Sequence, residues 1–168
     1  KYWTCCLKQE IKEIWQRIIV DFIEVCQDQE VATIVFDSAT LLWNICHNGH
    51  LQELQEKQLT QHNAKKLSIK FDEDDYREKL QPIEYGPAND RMRSVLHTAR
   101  SFQKNLVLVH YPTDEYGPYT DDKGRTIEAK TGKKILDGFK ETPKLSDLVV
   151  WTSIKEFRTG KTAIKSPV

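Results

Sequence analysis

Two short apolar runs constrain this chain more than any other feature. Val31-Ala32-Thr33-Ile34-Val35-Phe36 stops at Asp37, and Leu106-Val107-Leu108-Val109 stops at His110. Neither run alternates apolar with polar residues. That pattern predicts strands buried on both faces, as in a parallel sheet covered by helices. Ligands of open α/β sheets bind at the carboxyl ends of the strands, and each run ends there in a side chain capable of chemistry. Asp37 and His110 are therefore expected at the carboxyl ends of neighbouring or near-neighbouring parallel strands.

The segments around these runs read as helices. Ile11, Ile14, Trp15, Ile18, Phe22 and Val25 recur at spacings of three and four, a helical stripe that stops near Gln27-Asp28-Gln29, with Thr4 as a candidate cap. A second helix is expected from Ser38, carrying Leu41, Leu42, Ile45 and Cys46, with Asn48-Gly49 interrupting or ending it. Residues 50–82 are polar and predict a surface insertion with some helix. A third helix opens at Gly86-Pro87, with Met92, Val95, Leu96, Ala99 and Phe102 as its buried face. Residues 111–135 form a basic loop or hairpin with its tip at Asp122-Lys123-Gly124-Arg125. Leu148 to Ile154 predicts a third strand, and a turn at Thr159-Gly160 leads into Thr162-Ala163-Ile164. The order helix, strand, helix, helix, strand is that of an α/β fold with a mainly parallel sheet, in one domain.

Composition limits the function classes. Of the 168 residues, 39% are hydrophobic and 30% charged, which suits a soluble globular protein rather than a disordered one. No apolar run is long enough to span a membrane, and Lys1-Tyr2-Trp3-Thr4 does not begin a secretory signal. The four cysteines include the adjacent Cys5-Cys6, which cannot easily bridge each other, so free thiols and a reducing, cytoplasmic setting are expected. Lys and Arg total 25, as do Asp and Glu, but residues 121–165 hold eleven basic and seven acidic side chains. A mildly basic C-terminal third after a mildly acidic body excludes a histone-like binder and allows a local anion or nucleic-acid face.

An apolar strand ending in Asp and then a small hydroxyl residue, as in Asp37-Ser38, is how a nucleotide-binding site presents a carboxylate to Mg²⁺ beside phosphates. The same residues also suit a helix cap, with Asp37 capping the helix that follows. Cys46-His47-Asn48-Gly49-His50 gathers metal-ligand types but lacks a second ligand pair at regular spacing, so a helix end with a buried Cys is the favoured reading. Trp3, Trp15, Trp43 and Trp151 are expected in the core.

The wider strings resemble a known family. Thr33-Ile34-Val35-Phe36-Asp37-Ser38-Ala39-Thr40-Leu41-Leu42-Trp43 looks like the Walker B segment of RecA-like ATPases, most similar to phage-type nucleotide-binding proteins with an AAA-type ATP-binding domain. Ile83-Glu84-Tyr85-Gly86, a helix and Lys104 to His110 form a second match. Asp137-Gly138-Phe139-Lys140-Glu141-Thr142-Pro143 leading to Leu148-Val149-Val150 forms a third. The three lie in the family's order over roughly residues 10–157. The resemblance implies a RecA-like P-loop NTPase core, with ATP and Mg²⁺ held at the strand ends by Asp37 and Ser38, and action in DNA recombination, replication or repair. It implies a γ-phosphate-sensing role for His110 and a charge-stabilising role for Lys140, in cis or from a neighbour in a ring or filament of copies. The sequence departs from the family in one respect. No G-x-x-x-x-G-K-[ST] segment cradles the phosphates; Gly160-Lys161-Thr162 imitates its end, but position 155 is Lys. The chain thus resembles a family member without its N-terminal strand and P-loop, for which tight ATP binding is not expected.

The loop after His110 carries Lys123, Arg125, Lys130, Lys133 and Lys134, with Tyr111, Tyr116 and Tyr119 among them. Such cations neutralise phosphates and such rings stack on bases, so single-stranded DNA is a candidate partner. Asp114, Glu115, Asp121, Asp122 and Glu128 dilute that field, as in a merely solvated hairpin. Two alternatives to the ATPase stand: a non-catalytic relic or interaction module of the same fold, and a single-stranded-DNA-binding accessory protein using this hairpin.

Overall fold

The computed structural model describes residues 11–64, 77–120, 122, 124–159 and 162–167. Helix α1 (Ile11–Gln27) leads to strand β1 (Thr33–Asp37) and the long helix α2 (Ala39–Ala64). A 3₁₀ turn at Pro82–Glu84 opens helix α3 (Tyr85–Ser101), which feeds strand β2 (Asn105–Val109). A hairpin of β3 (Tyr111–Thr120) and β4 (Thr126–Asp137) follows, then the single turn α4 (Thr142–Leu145) and a second hairpin of β5 (Ile154–Thr159) and β6 (Thr162–Pro167). The architecture is α/β. Among the described residues the sheets are three two-stranded ones, and only β1–β2 is parallel, so the expected mainly parallel sheet is not present.

The core lies between the three helices and one face of the parallel pair. The helical stripe of α1 buries Trp15, Phe22 and Cys26. Leu42 and Cys46 from α2 meet Ala88, Met92, Val95 and Ala99 from α3, and Ile34, Phe36 and Leu106 close the cluster from the strands. Phe22 and Phe36 pack with ring centroids 5.7 Å apart. Phe102, expected on the buried face of α3, is 42% exposed instead, because it stands at the helix C-cap, beyond the last packed turn.

The other face of the parallel pair is bare. Val35, Val107 and Val109 are 56, 45 and 38% exposed, so burial alternates along both strands. The sequence run does not alternate, which predicted two covered faces; the described helices pack on one. The run Leu148-Val149-Val150-Trp151 is likewise not a strand. Its side chains are 79, 46, 71 and 60% exposed, and no described strand pairs with it. β-branched residues favour strands, yet a strand exists only through a partner for its N–H and C=O groups. Trp151 therefore lies outside the core, whereas Trp15 is buried and Trp43 packs on Phe139; Trp3, the Thr4 cap and Cys5-Cys6 lie outside the described residues.

Helix α2 runs unbroken through Asn48-Gly49, and it takes up half of the expected polar insertion. Gly49 is a packing residue rather than a breaker. A Cβ there would stand 3.4 Å from Lys12 Cα and 3.5 Å from the Ile11 carbonyl oxygen, so the bare glycine lets the start of α1 lie against α2. Lys12 N–H donates to Gln52 Oε1 at 3.0 Å in the same crossing. Residues 65–76, with the acidic cluster of the insertion, lie outside the described residues.

No helix among the described residues is long and apolar enough to cross a membrane.

Helix propensity and packing act in opposite directions at Gly49. Gly49→Ala is expected to stabilise the chain by about 0.5–1 kcal/mol, the helix-interior difference between the two residues, since its methyl group meets only ordinary contacts. Gly49→Leu should destabilise it, because the obstructing atoms belong to the backbone. Urea unfolding midpoints of the two variants check both signs.

Candidate functional site

Residues Thr33 to Asp37 pair in parallel register with Asn105 to Val109, and Asp37 stands opposite Val109. Asp37 and His110 thus end adjacent parallel strands at the same edge of the sheet. The register is tied at both ends. At the amino end, Lys104 Nζ donates to the carbonyls of Asp28 and Val31 at 2.5 and 2.6 Å, and Asn105 N–H donates to the Ala32 carbonyl at 2.9 Å. At the carboxyl end, the Thr40 hydroxyl donates to the Asp137 carbonyl at 2.5 Å and accepts from the Tyr111 N–H at 3.1 Å. That second tie fastens the base of the β3–β4 hairpin to the first turn of α2.

Ser38, not Asp37, caps α2. Its hydroxyl accepts from the Leu41 N–H at 3.3 Å, and its carbonyl from the Leu42 N–H at 3.2 Å. The Asp37–Ser38 peptide is cis. Asp37 is exposed and makes no hydrogen bond or ion pair among the described residues. A free carboxylate at a strand end, beside the positive terminus of a helix, suits a hard cation that keeps its remaining positions for water and phosphate. This is one carboxylate and not a metal cage; among the described residues no group of three metal-ligating side chains occurs.

His110 is half-buried. Its Nδ1 lies 3.2 Å from the Asp137 carbonyl oxygen, and its Nε2 is enclosed without a hydrogen-bond partner among the described residues. Burial lowers its pKa below the usual histidine value of 6.5, against the opposing pull of the Asp137 carbonyl and charge, which favours the neutral ring. Gly138, at φ +139°, touches this ring: a Cβ there would be 2.9 Å from Nδ1. Lys140 follows two residues later and is exposed. Between them Phe139 is buried against Trp43, at 5.7 Å between ring centroids. Arg93 grips Glu141 with two hydrogen bonds, from Nε at 2.8 Å and from an amino group at 2.5 Å. Gly138 to Leu145 is thus fastened to α2 through Phe139 and to α3 through Glu141, and it carries Lys140 between these two anchors.

The hairpin's cations do not form one free patch. Asp114 bridges Lys130 at 2.7 Å and Lys134 at 2.5 Å, and these two ammonium groups pull its pKa down to about 2. Lys133 is exposed, in the bulge opposite Glu115. Lys123 lies outside the described residues, and Arg125, just before β4, has its own partner. The tip at Gly124 has φ +73°, as a tight turn requires. The Cys46 thiol donates to the Ala88 carbonyl at 3.5 Å, and burial pushes it up to about 12. Cys46 is thus core, and neither histidine is exposed: His47 is half-buried against the Trp43 carbonyl and His50 is buried beside Glu53.

The structure brings Asp37, Ser38 and His110 to one edge, with Lys140 on the segment that follows the Asp137 carbonyl against His110. Thr40 and Gly138 join that edge although sequence reasoning passed over both. A hydroxyl in the first turn of a buried helix was the available signal for Thr40; nothing in the sequence marks Gly138 beyond its being a glycine. No protein-family model, curated protein or solved structure matches the chain.

Gly138→Ala is expected to destabilise the chain by about 1–3 kcal/mol, since it combines a strained φ with a clash on the His110 ring. Gly124→Ala, which meets nothing within 4 Å, should cost less. Thermal or urea unfolding of both variants provides the comparison.

Proposed function

We propose that the chain is the body of a RecA-like P-loop ATPase of phage type, acting in DNA recombination, replication or repair. ATP and Mg²⁺ sit across the strand ends, with Asp37 on the metal. The observation that carries this reading is the register that sets Asp37 and His110 side by side, one at the head of a capped helix and the other against a glycine strap that bears Lys140. The bare valines and open edges of β1–β2 support it as well. Parallel sheets are covered on both faces, and two strands alone are marginal. In the proposed whole, a P-loop strand and its helix, of which this sequence holds no copy, cover Val35, Val107 and Val109 and stand between β2 and the Leu148–Trp151 run. Copies then assemble as a ring or filament, with Lys140 reaching a γ-phosphate in the same or the next copy.

The 168-residue chain by itself is expected to show no enzyme-like ATP turnover, because the phosphate cradle and its lysine are absent. Fused behind a P-loop segment it should bind Mg-ATP, and Asp37→Ala should weaken that binding about tenfold or more, the scale of removing a group that holds or orients a metal. Lys140→Ala in the fusion should lower turnover while leaving DNA binding intact. Turnover by the unfused chain, or Mg-ATP binding indifferent to Asp37, would sink the proposal.

A second reading, a single-stranded-DNA accessory protein, is favoured by Tyr116 and Tyr119, which stand 56 and 54% exposed on the lysine-bearing hairpin. Replacing Lys130, Lys133 and Lys134 with Ala should weaken oligonucleotide binding and reduce its logarithmic salt slope by about 0.7 for each phosphate no longer neutralised. Because the single carboxylate of Asp114 offsets one of the three ammonium charges, the expected reduction is closer to that of two phosphates than of three. An unchanged slope removes the hairpin from DNA recognition.

A further inference from the structure

Two parts of the described chain each lack what the other offers. Among the described residues the β1–β2 pair has open edges, and on its bare face Val35, Val107 and Val109 are 56, 45 and 38% exposed. The run Leu148 to Trp151 is rich in β-branched and aromatic residues, which favour strands, and it pairs with no described strand. Its root is fixed. Leu145 packs on the core, and an Arg100 amino group donates to the Leu145 carbonyl at 3.4 Å and to Asp147 Oδ1 at 3.3 Å. Ser146, at ψ 141°, leads the chain out of α4 in an extended conformation. Beyond that root all four side chains of the run are exposed, Leu148 by 79% and Val150 by 71%. An open strand pair and an extended apolar segment are a strand acceptor and a strand donor. Charge favours their meeting between copies. Residues 121–165, which hold the run, carry eleven basic and seven acidic side chains; with 25 of each sign in the whole chain, the remainder is net acidic by four. The donor end of one copy and the acceptor body of another therefore attract.

We propose that Leu148 to Trp151 of one copy seats as an added strand on the β1–β2 pair of a second copy. The contact is heterologous, since two different surfaces meet, so copies exchange runs in a closed pair or grow head to tail. Main-chain N–H and C=O groups of the open edge supply the hydrogen bonds. Alternate side chains of the run then stand beside the valines on the same face, and each buries part of the other's exposed surface. A third strand also relieves the marginal stability of a two-stranded sheet. The inference goes beyond the ATPase reading and does not need it. In that reading a P-loop strand takes the place beside β2; this sequence holds no such strand, and the run is the unpaired strand-forming segment that the described chain does hold.

The test is sedimentation velocity of the full 168-residue chain at neutral pH, over the micromolar range. The unmodified chain should be a dimer or larger and should dissociate on dilution. Val149→Pro with Val150→Pro removes two successive N–H groups, one of which faces the partner whichever way the run pairs. Val35→Lys with Val107→Lys places a charge on each strand, so one stands beside whichever edge accepts the run. All four positions are exposed, so each double variant should keep the circular dichroism of the unmodified chain while its dissociation midpoint rises about tenfold or more, the scale of one or two lost hydrogen bonds. Each variant keeps the half that the other lacks. Mixed in equal amounts, they should form a one-to-one dimer and nothing larger. A synthetic peptide of residues 147–153 should bind the proline variant one to one and disperse the oligomers of the unmodified chain, which keeps the proposal open to refutation if the lysines unfold the chain. An unmodified chain that stays monomeric, oligomers that survive both double changes, or a donor that fails to pair with the proline variant would each overturn the proposal. Failure of the P-loop fusion to bind Mg-ATP would instead count against the ATPase reading alone.

Discussion

Lys104 and Thr40 stand at opposite ends of a five-residue parallel pairing, and the geometry of the site follows from what they fasten. Lys104 binds the start of β2 to the loop before β1 through two carbonyls. Thr40 binds the chain leaving β2, and the far end of the hairpin, to the helix leaving β1. Slipping a strand by one residue exchanges its two faces. Here it would turn Ile34 and Phe36 out of the core and move Asp37 out of line with Val109. Two parallel strands make too few ladder bonds to hold that alignment unaided. The two side-chain ties, each joining segments about seventy residues apart or more, supply the constraint that a wider sheet would provide.

Much of this was legible beforehand. The stripe from Ile11 to Val25, the two apolar runs and their polar ends located α1, β1 and β2, and with them the meeting of Asp37 and His110, because burial of these runs leaves few other arrangements. What failed depended on partners rather than on local sequence. Gly49 reads as a breaker until α1 is laid across it. Leu148–Trp151 has the local marks of a strand and, among the described residues, no strand to pair with. The non-alternating character of Val31–Phe36 predicts two covered faces, yet burial alternates along β1 and β2 and one face is exposed. At the site, the cap passed from Asp37 to Ser38 through a difference of one residue in the helix start, finer than a capping pattern distinguishes. The roles of Thr40 and Gly138 arise from the approach of Asp137, 97 residues away in sequence from Thr40, so the hydroxyl at Thr40 marks a polar contact without naming its partner.

The hairpin shows the same dependence in electrostatic form. Counted along the sequence, its lysines look like a patch for phosphates. Placed across two strands with a bulge between them, Lys130 and Lys134 fall on either side of Asp114 and close on it. Exposed ion pairs of this kind add little stability, yet they change what the surface offers a partner. Its apolar and aromatic features, Tyr111, Tyr116, Tyr119 and Ile127, remain exposed while part of its positive charge is internally spoken for.

The uncovered valines of β1–β2 also bear on how the isolated molecule behaves in solution. Among the described residues no third strand pairs with β1 or β2, and an open parallel edge beside exposed β-branched side chains is a template onto which another chain can add, the circumstance that edge-protecting features in other sheets prevent. Long-range repulsion between copies would oppose such addition, but the 25 basic and 25 acidic side chains cancel, and the isoelectric point falls at about 7.1. Near neutrality, then, the molecule combines its stickiest surface with its weakest colloidal protection. Moving a unit or two of pH to either side restores a net charge without touching the valines themselves.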